Sequence, residues 1–517
     1  MNVNKAIKSI AVIVVFAFGS KALGFIREAL IASRFGSGVL TDSFFVALTA
    51  TSLFTSLITQ AIKTTTIPIL AEIEATEGEE GKIHHTNNLL NILLFISLLL
   101  VVLGWVVSPI IIKVLAMGFK GEQYQLAVLL TRIGLPVLFF SSIVGVFRGF
   151  LQSNLMFAES AVTQLPYNFT YLFFLFFLSG RFGIIGLMIF SVLAVASQIV
   201  IQIPSLRKSG YKYKLVFNLK DMYIRKIIQL VPPVLMSVGI SDINKIIDRT
   251  LGSMLIKGSV SALHYANRIQ VLIVELFISA IGTVIFPVLS KEVSNEDQTS
   301  LKKTIVRSIN VVTLITIPAT FLIISLAEPI VRIAFQRGAF DQVATSMTKD
   351  AVVFYIIGLS SMSINFVIQK VYYAFQDTKI PMLNSFYSMI INVILSLLLA
   401  KTMGHAGLAL GTSIAGIFMC ISLMWGLKKK IADLKYINFY KCLLKSVTAS
   451  IFIGVLAYKL YTLLMNILIP YNFLEVGILL IILIISALVY LVILKLLRVD
   501  EIEWLQRIIR GKLKLEV

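Results

Sequence analysis

Charged side chains stand inside stretches that are largely apolar, among them Lys21 and Arg27 in the first, Asp42 at the start of the second, and Arg268 in the eighth. An ionisable group in the middle of a membrane-length apolar segment costs a few kcal/mol to insert, so it faces a watery cavity or a partner. Arginine suits an anion with several oxygens, because its fork holds two phosphate oxygens at once and stays protonated when partly dehydrated. A cavity lined by such residues replaces the hydration that a diphosphate loses on entering hydrocarbon. Lys21 and Arg27 are separated by about 240° round an ideal helix, so they share a cavity only through long side chains and a bend at Gly24. The seventh stretch carries Asp242, Asn244, Lys245, Asp248 and Arg249 beyond a Pro232-Pro233 pair. There Asp242 and Lys245 are spaced for a local salt bridge, which competes with any functional reading.

The elements that must position these residues follow from composition. Of 517 residues, 58% are hydrophobic and 14% charged, with a mean hydropathy of +0.91. A soluble domain carries about a quarter charged residues, so lipid must be the solvent here. Apolar runs of around 20 residues recur along the chain, each long enough to cross a hydrocarbon layer of roughly 30 Å. The expectation is an all-α polytopic membrane protein with about fourteen spans, near 8–33, 40–71, 88–115, 123–150, 156–179, 183–205, 226–254, 260–290, 302–327, 345–374, 380–402, 406–427, 446–466 and 473–496.

The net charge of +20 does not point to nucleic acid, because of where it lies. Arg207, Lys208, Lys212, Lys214, Lys220, Arg225 and Lys226 cluster between two apolar runs, and Lys428 to Lys445 between two others. That is the positive-inside pattern, in which basic loops meet anionic lipid head groups on the cytoplasmic side. With an even number of spans, both termini fall on that side of a bacterial inner membrane, as do the basic ends around Lys5 and Lys495. The N-terminal apolar stretch has no cleavage site and continues through Ser20 and Lys21, so it reads as a retained first span rather than a signal peptide. The acidic run Glu72 to Glu80 reads as a cytoplasmic loop, and His84 and His85 within it as solvated.

An internal repeat organises the spans. Ile133-Gly134-Leu135 matches Ile357-Gly358-Leu359, Gln152 matches Gln376 and Asn168 matches Asn392, all 224 residues apart. Two six-helix lobes are therefore expected, 1–215 and 216–432, followed by two additional helices and a basic tail in 433–517. Paired lobes around a midplane site are the usual build of an alternating-access carrier. Lys257 and the Arg34 to Ser37 turn occupy matching places between the first two helices of each lobe, on the outer side.

Several chemistries find no support. Cys420 and Cys442 lack metal-ligand spacing. Neither a G-x-x-x-x-G-K-[ST] loop nor a G-x-S-x-G elbow occurs, so neither a nucleotide-driven pump nor a serine hydrolase is expected, and no cofactor beyond a coupling ion. A membrane enzyme acting on a lipid carrier would show clustered carboxylates or histidines at a membrane face, whereas Asp42 has no acidic companion in its lobe.

At the same residues the chain resembles the MurJ (MviN) family of lipid II flippases, within the wider superfamily of multidrug and oligosaccharidyl-lipid exporters. The resemblance rests on Ser20 to Glu28, Phe35-Gly36, Thr41 to Ala47, Tyr265-Ala266-Asn267-Arg268, Phe335 to Phe340 and Ala374 to Thr378, and covers at least residues 10–430. It implies movement of lipid II, the undecaprenyl-diphosphate-linked peptidoglycan precursor, from the inner to the outer leaflet. It also implies that Arg27, Asp42 and Arg268 occupy functional positions, with Lys21 where many members carry arginine. The chain departs from the family over Thr49 to Gln60, where Thr55, Ser56 and Gln60 replace an Arg-Arg pair and a glutamate. Either the substrate grip has moved to residues such as Lys63 or the cargo differs. The resemblance further suggests a sodium site at Asp242, Asn392 and Thr412, with Ser396 where a carboxylate is expected, and a tail-sheltering role for the last two helices. Export of another polyprenyl-linked saccharide is the alternative; a cation-coupled drug exporter fits a basic cavity less well.

Overall fold

The computed structural model describes residues 3–156, 162–467 and 472–501, with the side chains of 3–18, Lys63, 230–238 and a few others outside that description. Among the described residues every regular element is a helix. Eight helices are long and apolar enough to cross a membrane, nine if the bent pair Gln342–Ile357 and Leu359–Ala374 counts as one span. The chain is thus a multi-pass helical membrane protein. Two of its longest helical runs are broken internally. α2 (Val39–Leu115) leaves helical geometry at Gly78, with φ 74°, and the run through α6 (Ser179–Lys208) does so at Gly183, with φ 56°. Both are left-handed positions that glycine tolerates and other residues resist. Each break falls between two of the apolar runs expected from sequence. Glu72 to Glu80 is not a loop: helix continues on both sides of Gly78 and carries the acidic side chains outward.

By packing, the chain forms two compact units, Met1–Ser261 with Gly338–Phe340, and Ala262–Arg337 with Asp341–Val517. This boundary falls one helix later than the repeat boundary expected near 215, because α7 (Met222–Ser253) packs along α2.

In the first unit, α1 (Val3–Phe35) packs on α5 (Gln164–Phe173), and α2 on α3 (Gly121–Gly134), α4 (Val137–Ser153) and α7. Between helices in lipid there is no hydrophobic driving force, so close approach matters more than apolar area. Gly145 and Gly149, four residues apart on α4, provide it. A Cβ on Gly145 would lie 2.9 Å from Ile62 Cδ1, and one on Gly149 3.1 Å from Thr66 Cγ2. The segment 211–221, joining α6 to α7, is splinted by asparagines of α2. Asn87 donates to Lys212 O (2.9 Å), Asn91 to Val216 O (2.9 Å), and Asn88 to Asn218 O (3.0 Å) while accepting from Asn218 N (2.7 Å). Asp221 then caps α7, accepting from Tyr223 N and Ile224 N, and is itself held by His85 Nδ1 at 2.6 Å. His85 also meets Glu77 at 2.9 Å, so it braces the structure where a solvated histidine was expected; only His84 is exposed.

The second unit contains α8 (Ser259–Ile273), α9 (Ser279–Ser294), α10 (Gln298–Ser325), the short α11 (Ala327–Phe335), α12 (Gln342–Ile357), α13 (Leu359–Ala374), α14 (Lys379–Met403) and α15 (His405–Lys430), then α16 (Ile437–Ile467) and α17 (Asn472–Leu496). Its core gathers Leu301, Ile305 and Ile309 of α10 with Ile368 and Tyr372 of α13 and Leu423 and Leu427 of α15. α16 lies against α10, and α17 against α16. Arg332 of α11 fastens this last pair, reaching Glu475 Oε1 and Tyr461 Oη at 2.5 Å each.

Candidate functional site: a clamped turn and intramembrane arginines

Helix α8 begins at Ser259, and its first N–H groups need acceptors that the helix itself cannot supply. Asp42, in the first turn of α2 and only 2% exposed, supplies them from 216 residues away. One carboxylate oxygen accepts from Gly258 N at 2.7 Å; the other accepts from Ser261 N at 2.8 Å and Ser261 Oγ at 2.6 Å. A negative charge at a helix N-terminus also meets the positive end of the helix dipole. Ser37 Oγ donates to Gly258 O at 3.0 Å, so the turn after α1 and the turn before α8 are joined twice. Arg249 braces the same turn, donating from Nη1 to Val260 O at 3.0 Å and from Nε to Thr49 Oγ1 at 3.2 Å.

A third segment completes the clamp. Ala339 N donates to Ser33 O at 2.8 Å. Gly36 and Gly338 have φ of +68° and +59°, and a Cβ on either would fall 2.4 Å from a backbone oxygen, Ala339 O and Ser33 O respectively. The backbones approach so closely that only glycine fits. This gives a physical reason for the Phe35-Gly36 and Gly338-Ala339 motifs. Asp42 is thus a structural latch in this conformation, not an open ligand.

Arg27 is packed as well. It pairs with Glu28 Oε1 at 2.8 Å, donates to Asn168 Oδ1 at 3.2 Å, and lies over the rings of Tyr167 and Tyr171, 5.3 and 4.9 Å from their centroids. Lys21 is half-buried on α1 with partners of its own. Lys63 lies on α2, and its side chain is outside the described residues. Arg268 differs from all of these. Half-buried on α8, it has neither a hydrogen bond nor an ion pair among the described residues.

The proposed sodium ligands fall in both units. Asp242 is 5% exposed; its carboxylate takes Lys245 Nζ at 2.7 Å and Ser56 Oγ at 2.6 Å, the local pairing that the spacing allowed. In the second unit Asn392 donates to Thr412 Oγ1 at 3.0 Å. Asn392 Oδ1 and Ser396 Oγ, one turn apart, are buried without partners among the described residues, two neutral acceptors of the kind a hard monovalent cation takes. No cluster of three or more His, Cys, Asp or Glu exists among the described residues.

These motifs can be set against known proteins. The family model described as "Lipid II flippase MurJ" matches residues 31–480, most of the chain. The chain belongs to the MurJ family. The "Probable lipid II flippase MurJ" of Rickettsia prowazekii is 29% identical over 402 residues, covering 77% of this chain and 79% of its own. That of Vibrio cholerae is 29% identical over 440 residues, covering 81% and 82%. Among solved structures, "Lipid II flippase MurJ, inward closed conformation" superposes with a TM-score of 0.78 at 26% identity, over 94% of this chain and 99% of that one. An inward-facing multidrug transporter of the MATE family shares the fold, with a TM-score of 0.68 at 16% identity over 81% of this chain and 96% of that one. In this MurJ family member, then, the Arg27, Asp42 and Arg268 motifs occur in a helical frame in which Asp42 seals a turn, Arg27 is packed, and Arg268 has no hydrogen bond or ion pair among the described residues.

Proposed function

We propose that the chain carries lipid II across the bacterial cytoplasmic membrane, from the inner to the outer leaflet, as a carrier and not an enzyme. The reading rests above all on Arg268. An arginine within an apolar helix is costly to insert, and one with no partner among the described residues is suited to a partner that comes and goes. Its fork can take two oxygens of the diphosphate. Membership of the MurJ family supports lipid II as the cargo. In the cycle, the latch of Asp42 on α8 closes the outer side while the head group is loaded from the cytoplasm. Release outside requires those hydrogen bonds to break.

In this reading the chain crosses the membrane fourteen times with both termini in the cytoplasm, as the lysine and arginine bias demands. A sodium ion, held by Asn392, Ser396 and Thr412 within the second unit, would supply positive charge and a gradient; transport equal in sodium and potassium media would remove it. The central test is complementation of a strain depleted of its own lipid II flippase. The wild-type chain should restore growth, Arg268→Ala should not, and Arg268→Lys should restore it only in part, since a point charge cannot reproduce the fork. Full rescue by Arg268→Ala would overturn the proposal.

A further inference from the structure

A cavity of about 330 Å³ opens in the second unit where α10, the start of α16 and the segment after α17 converge. Six cations line it: Lys302, Lys303 and Arg307 from α10, Lys435 just before α16, and Lys441 and Lys445 on α16. Three carboxylates, Asp433, Asp500 and Glu501, share the lining, so the wall carries three positive charges in excess. Part of this set is committed to holding the wall together: Asn310 Nδ2 donates to Glu501, and Lys445 Nζ to Arg498 O at 2.8 Å. The buried Asn310, 2% exposed, also lines the cavity, and its Oδ1 accepts from no donor among the described residues. A buried acceptor with no donor among the described residues is suited to a donor from a ligand.

The surroundings say what kind of ligand. Along α16 the cavity-facing positions Asn438, Lys441, Cys442 and Lys445 occupy one face. Ile437, Leu444, Ile451 and Val455, all exposed, occupy a face roughly 100° away round the helix. A polar, cationic hollow therefore opens beside an apolar wall, at the end of the helices that the basic loops assign to the cytoplasmic leaflet.

We propose that this cavity binds the head group of an anionic glycerophospholipid of the phosphatidylglycerol type. The phosphodiester sits among the lysines and Arg307, a glycerol hydroxyl donates to Asn310 Oδ1, and the acyl chains run along the exposed face of α16. Cys442 and Val499 belong both to the cavity wall and to the core that joins α16 to α17. The bound lipid consequently bridges α10 to the C-terminal helix pair and relieves the repulsion among six clustered cations. The proposal takes the membrane orientation from the functional reading but does not depend on the cargo.

The test is native mass spectrometry of the full-length protein released from nanodiscs, with thermal unfolding of the same samples. Phosphatidylglycerol should be retained roughly fivefold or more over phosphatidylcholine. It should also raise the unfolding temperature. Lys302→Gln combined with Lys441→Gln should reduce retention to the phosphatidylcholine level, whereas Lys212→Gln with Lys220→Gln, in the other basic loop, should leave it unchanged. Asn310→Leu should weaken phosphatidylglycerol without weakening phosphatidic acid, which has no glycerol hydroxyl to donate. Equal retention of the two lipids, or wild-type retention in the Lys302/Lys441 variant, would overturn the proposal. So would glycerol 1-phosphate or inorganic phosphate displacing the lipid at low millimolar concentration, which would make this a site for free phosphate.

Discussion

Asp42→Ala is the perturbation with the clearest expected size. It removes the acceptors of Gly258 N, Ser261 N and Ser261 Oγ, all within 2.8 Å of the carboxylate. If the outer side opens, water reaches these donors, so the relevant loss is the net value of the interaction, not the full cost of burying unpaired groups. A hydrogen bond to a charged group is worth about 1.5–3 kcal/mol net, and a capping side chain typically about 1. Because the three bonds share one carboxylate, about 2–3 kcal/mol for the set is reasonable. That shifts the ratio of closed to open by roughly 30- to 150-fold. Spin labels at Arg34 and Lys257, both exposed beside the joined turns, would read the shift by electron paramagnetic resonance in a background with Cys420 and Cys442 changed to serine. The wild-type protein should show chiefly the short distance and Asp42→Ala a large long-distance population. Asp42→Asn should fall between them, since asparagine caps well but lacks the charge. An unchanged distance distribution in a well-folded Asp42→Ala protein would refute the latch.

Three further outcomes follow from the geometry. Arg27→Ala should lower thermal stability by about 1–3 kcal/mol as well as transport, because it removes one charged partner of the buried Glu28 and the cation over two tyrosine rings; a fully stable but inactive variant would show that Arg27 serves the cargo alone. Gly36→Ala should cost about 1–2 kcal/mol or more from positive φ together with the collision on Ala339 O, visible as a lower unfolding temperature. The hydrogen bond from Lys430 to Asp377 (2.5 Å) holds the Asp377 carboxyl below its ordinary range. A depressed carboxylate stabilises the fold fully above its unfolded pKa of about 3.9, and that contribution is lost as pH falls through the lower folded value. Acid-side unfolding curves of Asp377→Asn should accordingly be flatter than those of the wild type.

Much of this was legible from residue types alone. Apolar runs of membrane length announced the membrane fold, and the spacing of Asp242 and Lys245 allowed the pairing that the structure contains. What escaped was whatever depends on distant segments meeting. Nothing near Asp42 in sequence reveals that its acceptors serve a helix starting at Ser259. The asparagines at 87, 88 and 91 look like ordinary polar helix residues until segment 211–221 is laid beside them. Glu72 to Glu80 misled in another way: a charge run resembles a solvated loop, yet glutamate and alanine are good helix formers, and Gly78 alone interrupts. The cavity around Asn310 was hidden because its walls come from three separate stretches.

The asparagine splint along α2 bears on where motion can occur. A connector between two repeats is ordinarily the slack part of a carrier, free to bend while the helices on either side stay stiff. Here segment 211–221 is bonded along its length to α2, and Asp221 both starts α7 and is gripped by His85 of α2. Tilting the base of α7 would drag the second half of α2 with it or rupture the whole row of bonds together. The connector is a rigid mount, and the compliance is displaced upward into α7 itself, where consecutive prolines at 232 and 233 remove two rungs from its hydrogen-bond ladder.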